Sequence, residues 1–174
     1  MKIQVSESVP LPADEVFHLL RDDMPALVPF MREIESITVT SRRDEDGLVH
    51  LVNLWKGDTS KIPRPLRKVA RPELFSWNDH ASWTTATRQA TWRLEPRVGG
   101  NVFECWGTTQ VLPDGETSRL EMDIDLEIHA DNVPGVPKIL ARRLRPQVEA
   151  AIERQITPNM RRLADSIRAY ARSK

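Results

Sequence analysis

Cysteine occurs once in the 174 residues, at Cys105, so neither an intramolecular disulfide nor a cysteine-based zinc site can form. Charge of one sign is also missing. The 25 Lys+Arg balance 25 Asp+Glu, which argues against a globally basic nucleic-acid binder and against an acidic disordered tail. No apolar run approaches the roughly 20 residues of a membrane span, and Met1-Lys2-Ile3-Gln4-Val5-Ser6-Glu7 lacks the apolar stretch of a secretion signal. What is present is a 40% hydrophobic fraction, enough for one core at this length. The expectation is a single domain over residues 1–174, cytoplasmic and without a nucleic-acid partner.

Residues Lys2 to Val9 alternate, with Ile3, Val5 and Val9 on one face and Lys2, Gln4, Ser6 and Ser8 on the other, the period of a half-buried strand. Pro12 can open a helix, with Asp14 and Glu15 in its first turn and Ala13, Val16, Phe17 and Leu20 at helical spacing to about Arg21. Met24 to Met31 is apolar but holds Pro25 and Pro29, so it is at most one or two helical turns. Six β-prone runs follow: Glu33 to Arg42, Leu48 to Trp55, Glu73 to Asn78, Thr84 to Glu95, Val102 to Leu112 and Ser118 to His129. Asp46-Gly47, Gly99-Gly100 and Asp114-Gly115 are two-residue hairpin signals, because primed turns need positive φ. Sequential hairpins imply an antiparallel sheet. From Pro137 onward Leu140, Leu144, Val148, Ile152, Ile156, Met160, Leu163, Ile167 and Tyr170 form one helical stripe, kinked at Pro146 and Pro158.

The hairpin registers divide the sheet into two faces. A loop at Asp114-Gly115 puts Cys105 opposite Ile124 and Gly107 opposite Met122, while a loop at Gly99-Gly100 puts Leu94 opposite Cys105 and Trp92 opposite Gly107. One face then carries Trp92, Leu94, Phe103, Cys105, Met122, Ile124 and Leu126. The other carries Glu95, Glu104, Glu121, Asp123, Asp125 and Glu127 and must meet water. On these strands the apolar face offers no carboxylate, imidazole or amine for acid–base chemistry. His50, Asp79 and His80 lie in the less well phased stretch and are the titratable groups that could still point inward. The four histidines, His18, His50, His80 and His129, show no metal-ligand spacing, so neither metal nor cofactor is expected.

Charge is unevenly spread. Lys56 to Arg71 holds Lys56, Lys61, Arg64, Arg67, Lys68 and Arg71 against Asp58 alone, whereas Glu104 to Asp131 carries eight acids against Arg119. Arg64, Arg67, Lys68 and Arg71, interleaved with Ile62, Leu66 and Val69, are the candidate contacts for transient docking to an anionic membrane surface. Solvation, or pairing of the basic loop with the acidic sheet, explains the same pattern.

One strand, two short helices, six antiparallel strands and a long C-terminal helix resemble the START-like, or helix-grip, superfamily of lipid-transfer domains, polyketide cyclases and related ligand binders. The best local pieces are Val9-Pro10-Leu11-Pro12-Ala13-Asp14-Glu15-Val16-Phe17 and Trp92-Arg93-Leu94-Glu95-Pro96 with the following Gly99-Gly100 hairpin. The resemblance implies an α+β fold in which a seven-stranded curved antiparallel sheet grips the C-terminal helix around an internal cavity. Its lining would include Trp92, Phe103, Cys105, Met122, Ile124 and Leu126 of the sheet and Ile152, Ile156 and Met160 of the helix. A hydrophobic or amphipathic small molecule, including a lipid, is the implied partner. The alternatives are a small enzyme of the polyketide cyclase or dehydratase kind using His50, Asp79 or His80, and a ligand-free interaction module of the same fold.

Overall fold

The computed structural model describes residues 1–61, 72–98, 103–129, 146 and 162–174. Seven strands form one antiparallel sheet: β1 (Lys2–Val9), β2 (Ile34–Glu45), β3 (Leu48–Gly57), β4 (Ser76–Thr84), β5 (Gln89–Pro96), β6 (Phe103–Asp114) and β7 (Thr117–Ile128). The order is β1-β7-β6-β5-β4-β3-β2, so strands two to seven run as a meander and β1 closes onto β7. Helix α1 (Ala13–Asp22) and a 3₁₀ segment (Met24–Phe30) connect β1 to β2, and α2 (162–173) ends the chain. This is the α+β architecture expected, with both short helices after the first strand.

Local chemistry accounts for each connection. Pro12 sits outside α1 with ψ 148°, and its carbonyl accepts the Val16 N–H at 3.1 Å. Asp14 and Glu15 in the first turn and Arg21 in the last complement the helix dipole, while Val16, Phe17 and Leu20 turn into the core. Proline at positions 25 and 29 cannot donate the hydrogen bonds of a continuing α-helix, and the chain winds as 3₁₀ with Leu27 fully buried. Asp46-Gly47 is the two-residue loop predicted, with φ +43° and +83°, the primed geometry that matches strand twist.

Two expectations need correction. The β6–β7 loop is Gly115-Glu116, so Cys105 faces Leu126 and Gly107 faces Ile124. The Thr117 hydroxyl closes this turn on the Asp114 carbonyl at 2.8 Å, and only its first position, Gly115, needs positive φ, +65°. A slip of two residues leaves every side chain on its expected face. The β5–β6 register is the one predicted, with Leu94 opposite Cys105 and Trp92 opposite Gly107.

The second correction concerns Glu73 to Asn78 and Thr84 to Glu95, which are not strand units. A single strand runs through Ser76–Thr84, and the turn lies at residues 85–88. Asn78-Asp79-His80 carries turn chemistry but is spent inside β4. The real turn has no glycine and places Arg88 at φ +51°. That residue is held there from two sides: its guanidinium bonds Asp14 at 2.6 Å and its carbonyl accepts the Val111 N–H at 3.0 Å.

Helix α2 lies with Ala164 and Ile167 fully buried, worth about 1.5–3 kcal/mol for the isoleucine alone. Arg168 fixes its position by bonding Glu7 at 2.7 Å and the Ser8 carbonyl, and Tyr170 meets Phe30 edge-on at 6.1 Å. Arg162 pairs with Glu33.

Gly107 allows β6 to lie close against its neighbours. A Cβ there would run into the Asp123 carbonyl oxygen and come within 2.9 Å of Trp92 Cζ2. Gly107→Ala should therefore destabilise the protein by about 1–3 kcal/mol through overpacking, read as a lower urea midpoint at unchanged slope. A neutral result would mean that β6 and β7 have room to part.

Candidate functional site

The inner face of the sheet is assembled row by row from strand pairing. Asn53 pairs with Asp79 across β3 and β4, Asp79 with Leu94, Leu94 with Cys105 and Cys105 with Leu126. The next rows in one direction hold Leu51, Ala81, Trp92, Gly107 and Ile124. In the other direction Trp55 pairs with Trp77, their rings stacked at 6.0 Å and 19°. Every carboxylate of β6 and β7 alternates out of these rows onto the opposite face.

This inner face has two unlike ends. Beneath α1, Trp83, Ala90, Val111, Leu120 and Met122 are buried, and Phe17 of the helix meets Trp83 edge-on at 5.6 Å. At the other end Trp55, Trp77, Trp92, Leu94 and Phe103 are only half-buried. Large apolar side chains that stay partly accessible on an inward face mark a surface available to a ligand.

Of the residues singled out for a cavity, Cys105, Met122, Ile124 and Leu126 are buried and Trp92 and Phe103 half-buried, all on this one face. Trp92 donates its indole N–H to Thr109 at 3.0 Å, which fixes its ring. Ile152, Ile156 and Met160 lie outside the described residues, as do Arg64, Arg67, Lys68 and Arg71. Asn53, Trp55, Trp77 and Leu94 complete the face. The cross-strand Trp55–Trp77 pair is not legible from a strand that ends at Asn78, because its register is set by the full length of β4.

The three acid–base candidates separate. His50 bonds the Ser82 hydroxyl at 2.8 Å and His80 bonds Glu95 at 2.7 Å, both on the outer face, because they alternate with the inward residues Val49, Leu51, Asp79 and Ala81. Neither imidazole reaches the interior. Asp79 does, with 9% exposure. Burial pushes its carboxyl up to about 6, against the opposing pull of the Asn53 amide, the Trp55 indole and His80. That pull is incomplete in geometry: Asn53 Oδ1, Trp55 Nε1 and Asp79 Oδ1 are all buried without a hydrogen-bond partner. Burial foremost, then the charges of Asp79 and Asp125, pushes the Cys105 thiol up to about 12, so it is an inert apolar group at neutral pH.

Two other places collect titratable groups. Glu104, Glu127 and His129 bring ligand atoms within 4.8 Å of one another on the outer face, a juxtaposition made by cross-strand pairing. His129 is 3.5 Å from Glu104, and the cluster is open to solvent. A groove of about 460 Å³ beside α1 is lined by Asp14, Glu15, Asp22 and Asp23 with Leu11 and Tyr170; it lies apart from the sheet's inner face. No described helix is long and apolar enough to cross a membrane.

Comparison with known proteins places this geometry in context. The family model for polyketide cyclase/dehydrase and lipid transport matches residues 1–172. Among solved structures, the Zhui aromatase/cyclase from Streptomyces sp. R1128 is similar at TM-score 0.64 and 16% identity, over 99% of this chain and 93% of that one. A START superfamily protein from Mycobacterium smegmatis matches at TM-score 0.53 and 15% identity, over 97% and 94%. Norcoclaurine synthase from Thalictrum flavum matches at TM-score 0.58 and 13% identity, over 100% and 87%. At these identities the structures share the fold. No curated protein matches in sequence.

The Asp79 carboxyl predicts a pH-dependent cost. Its folded value of about 6 lies above the ordinary 3.8, so the folded chain holds this proton more tightly than the unfolded chain. The contribution is fully present below about pH 4 and is lost as pH rises through about 6, a change of about 3 kcal/mol. Urea unfolding should show Asp79→Asn gaining on the wild type by about that amount between pH 4 and pH 8. Parallel pH profiles would place the carboxylate in contact with water.

Proposed function

The chain belongs to the polyketide cyclase/dehydrase and lipid transport family, and we propose that it binds a hydrophobic or amphipathic small molecule against the inner face of its sheet. The observation that carries this reading is the half-buried end of that face, where Trp55, Trp77, Trp92, Leu94 and Phe103 present aromatic and aliphatic surface beside a packed core. Trp92, Phe103 and Cys105 line the ligand on this reading, with Met122, Ile124 and Leu126 as the buried wall behind them. The carboxylates of β6 and β7 crowd the outer face instead, which keeps that side in water and leaves the inner face of these two strands apolar.

A second reading, a small enzyme of the cyclase or dehydratase kind, is favoured by one observation. Asp79 is an inward carboxyl whose proton affinity is raised toward neutrality, the condition for general acid or base chemistry. His50 and His80, turned to the outer face, have no part in it. Asp79→Asn would then lower turnover of a polyketide-like substrate by 10²-fold or more, whereas a carrier has no turnover to lose.

The binding reading is tested with Leu94→Trp, which fills the accessible end at a half-buried position. Native mass spectrometry on protein from its own host should show a small-molecule adduct on the wild type, and the variant should lose it while its thermal midpoint stays within about 4 °C, the shift of roughly 1 kcal/mol at most for a chain of this size. An adduct retained in full by Leu94→Trp would move the ligand elsewhere.

A further inference from the structure

Three polar atoms on the inner face lack a hydrogen-bond partner. Asn53 Oδ1 and Asp79 Oδ1 are acceptors, Trp55 Nε1 is a donor, and all three are buried. Buried polar groups are ordinarily satisfied. Their placement is tight: Asn53 and Asp79 face each other directly across β3 and β4, and Trp55 stands two residues along on the same side of β3, about 7 Å away. Their described neighbours along the same face of the sheet are apolar, with Leu94 beside Asp79 and Trp77 beside Trp55. The fourth orphaned atom, Ser118 Oγ, sits opposite Val9, apart from this group.

We propose that Asn53, Trp55 and Asp79 are the specificity-determining residues of the inner-face site and recognise a hydroxyl group on an otherwise apolar ligand. This rests on the reading of that face as the ligand site. A hydroxyl matches the set because it is both donor and acceptor: its hydrogen goes to Asp79 Oδ1 or Asn53 Oδ1 and its oxygen receives the Trp55 N–H. Other head groups fit part of the set. A ketone serves the indole alone, an ammonium serves the acceptors alone, and a carboxylate sets two more acceptors against two acceptors. One hydroxyl leaves one acceptor unmatched, so a pair of hydroxyls on adjacent carbons matches all three atoms. A site built to hydrogen-bond a hydroxyl discriminates strongly against the analogue that lacks it, because its own groups are then left unpaired.

The test holds the apolar body constant and varies the head group, using naphthalene, 2-naphthol, 2,3-dihydroxynaphthalene and 2-naphthoate in equilibrium dialysis against the full chain at pH 7.5. Affinity should rise at least tenfold from naphthalene to 2-naphthol and again to the diol, with 2-naphthoate no tighter than naphthalene. Asp79→Leu and Trp55→Phe should bring 2-naphthol within twofold of naphthalene while naphthalene itself still binds. A merely structural role would weaken every probe together, so the ratio within each variant separates the two. Should Asp79→Leu fail to fold, Asn53→Val and Trp55→Phe carry the same comparison. Equal affinity for naphthalene and 2-naphthol in the wild type, or a preference that survives the substitutions, overturns the recognition role and leaves the apolar site standing. Failure of every probe to bind overturns both.

Discussion

A strand displaced by one residue against its neighbour exchanges its two faces, and β5, β6 and β7 cannot survive that exchange. One face of these strands holds Trp92, Leu94, Cys105, Gly107, Ile124 and Leu126, and the other holds Glu104, Glu121, Asp123, Asp125 and Glu127. Burying the second set would desolvate five carboxylates without cations to meet them. The register is thereby fixed by charge as much as by apolar contact. Everything inward follows from it: α1 and α2 pack on the side free of these carboxylates, and on β5, β6 and β7 a ligand meets mainly apolar side chains, the polar groups Asn53 and Asp79 standing on β3 and β4.

Along that inward face, packing is uneven in a way that suits binding. The helix α1 seals one end through Phe17 against Trp83 and buries the surrounding aliphatic side chains to completion. Toward β2, the aromatic side chains remain partly accessible. Trp55 and Trp77 stack on each other and Trp92 is tied to Thr109, so this accessible surface is held rigid before any ligand arrives. Preorganised aromatic surface loses little entropy on binding.

How far the sequence could be read depended on whether the signal was local. Strand β1, helix α1, the Asp46-Gly47 turn and the β5–β6 register are all decided by neighbouring residues, and the chain adopts them as expected. The β4–β5 turn is decided from afar: Arg88 takes a left-handed conformation because Asp14 and Val111 hold it there, and nothing in Thr85-Ala86-Thr87-Arg88 announces a turn. Asp79 is the same lesson at the site. Its neighbours Asn78 and His80 read as turn chemistry, and only pairing with Asn53 on one side and Leu94 on the other turns its carboxyl inward. The calls on Ile152, Ile156 and Met160 and on the basic loop from Arg64 to Arg71 fall outside the described residues.

The five tryptophans report on this account from within the molecule. Trp55, Trp77 and Trp92 belong to the accessible end of the inner face, Trp83 is sealed beneath α1, and Trp106 stands 37% exposed on the outer face. Titration of a neutral apolar probe into ¹⁵N-labelled protein, followed through the five indole N–H resonances, therefore locates binding directly. Shifts confined to Trp55, Trp77 and Trp92, with Trp83 and Trp106 unmoved, are the predicted result. Shifts led by Trp106, or none at any indole while the probe binds, would contradict a ligand site on the inner face.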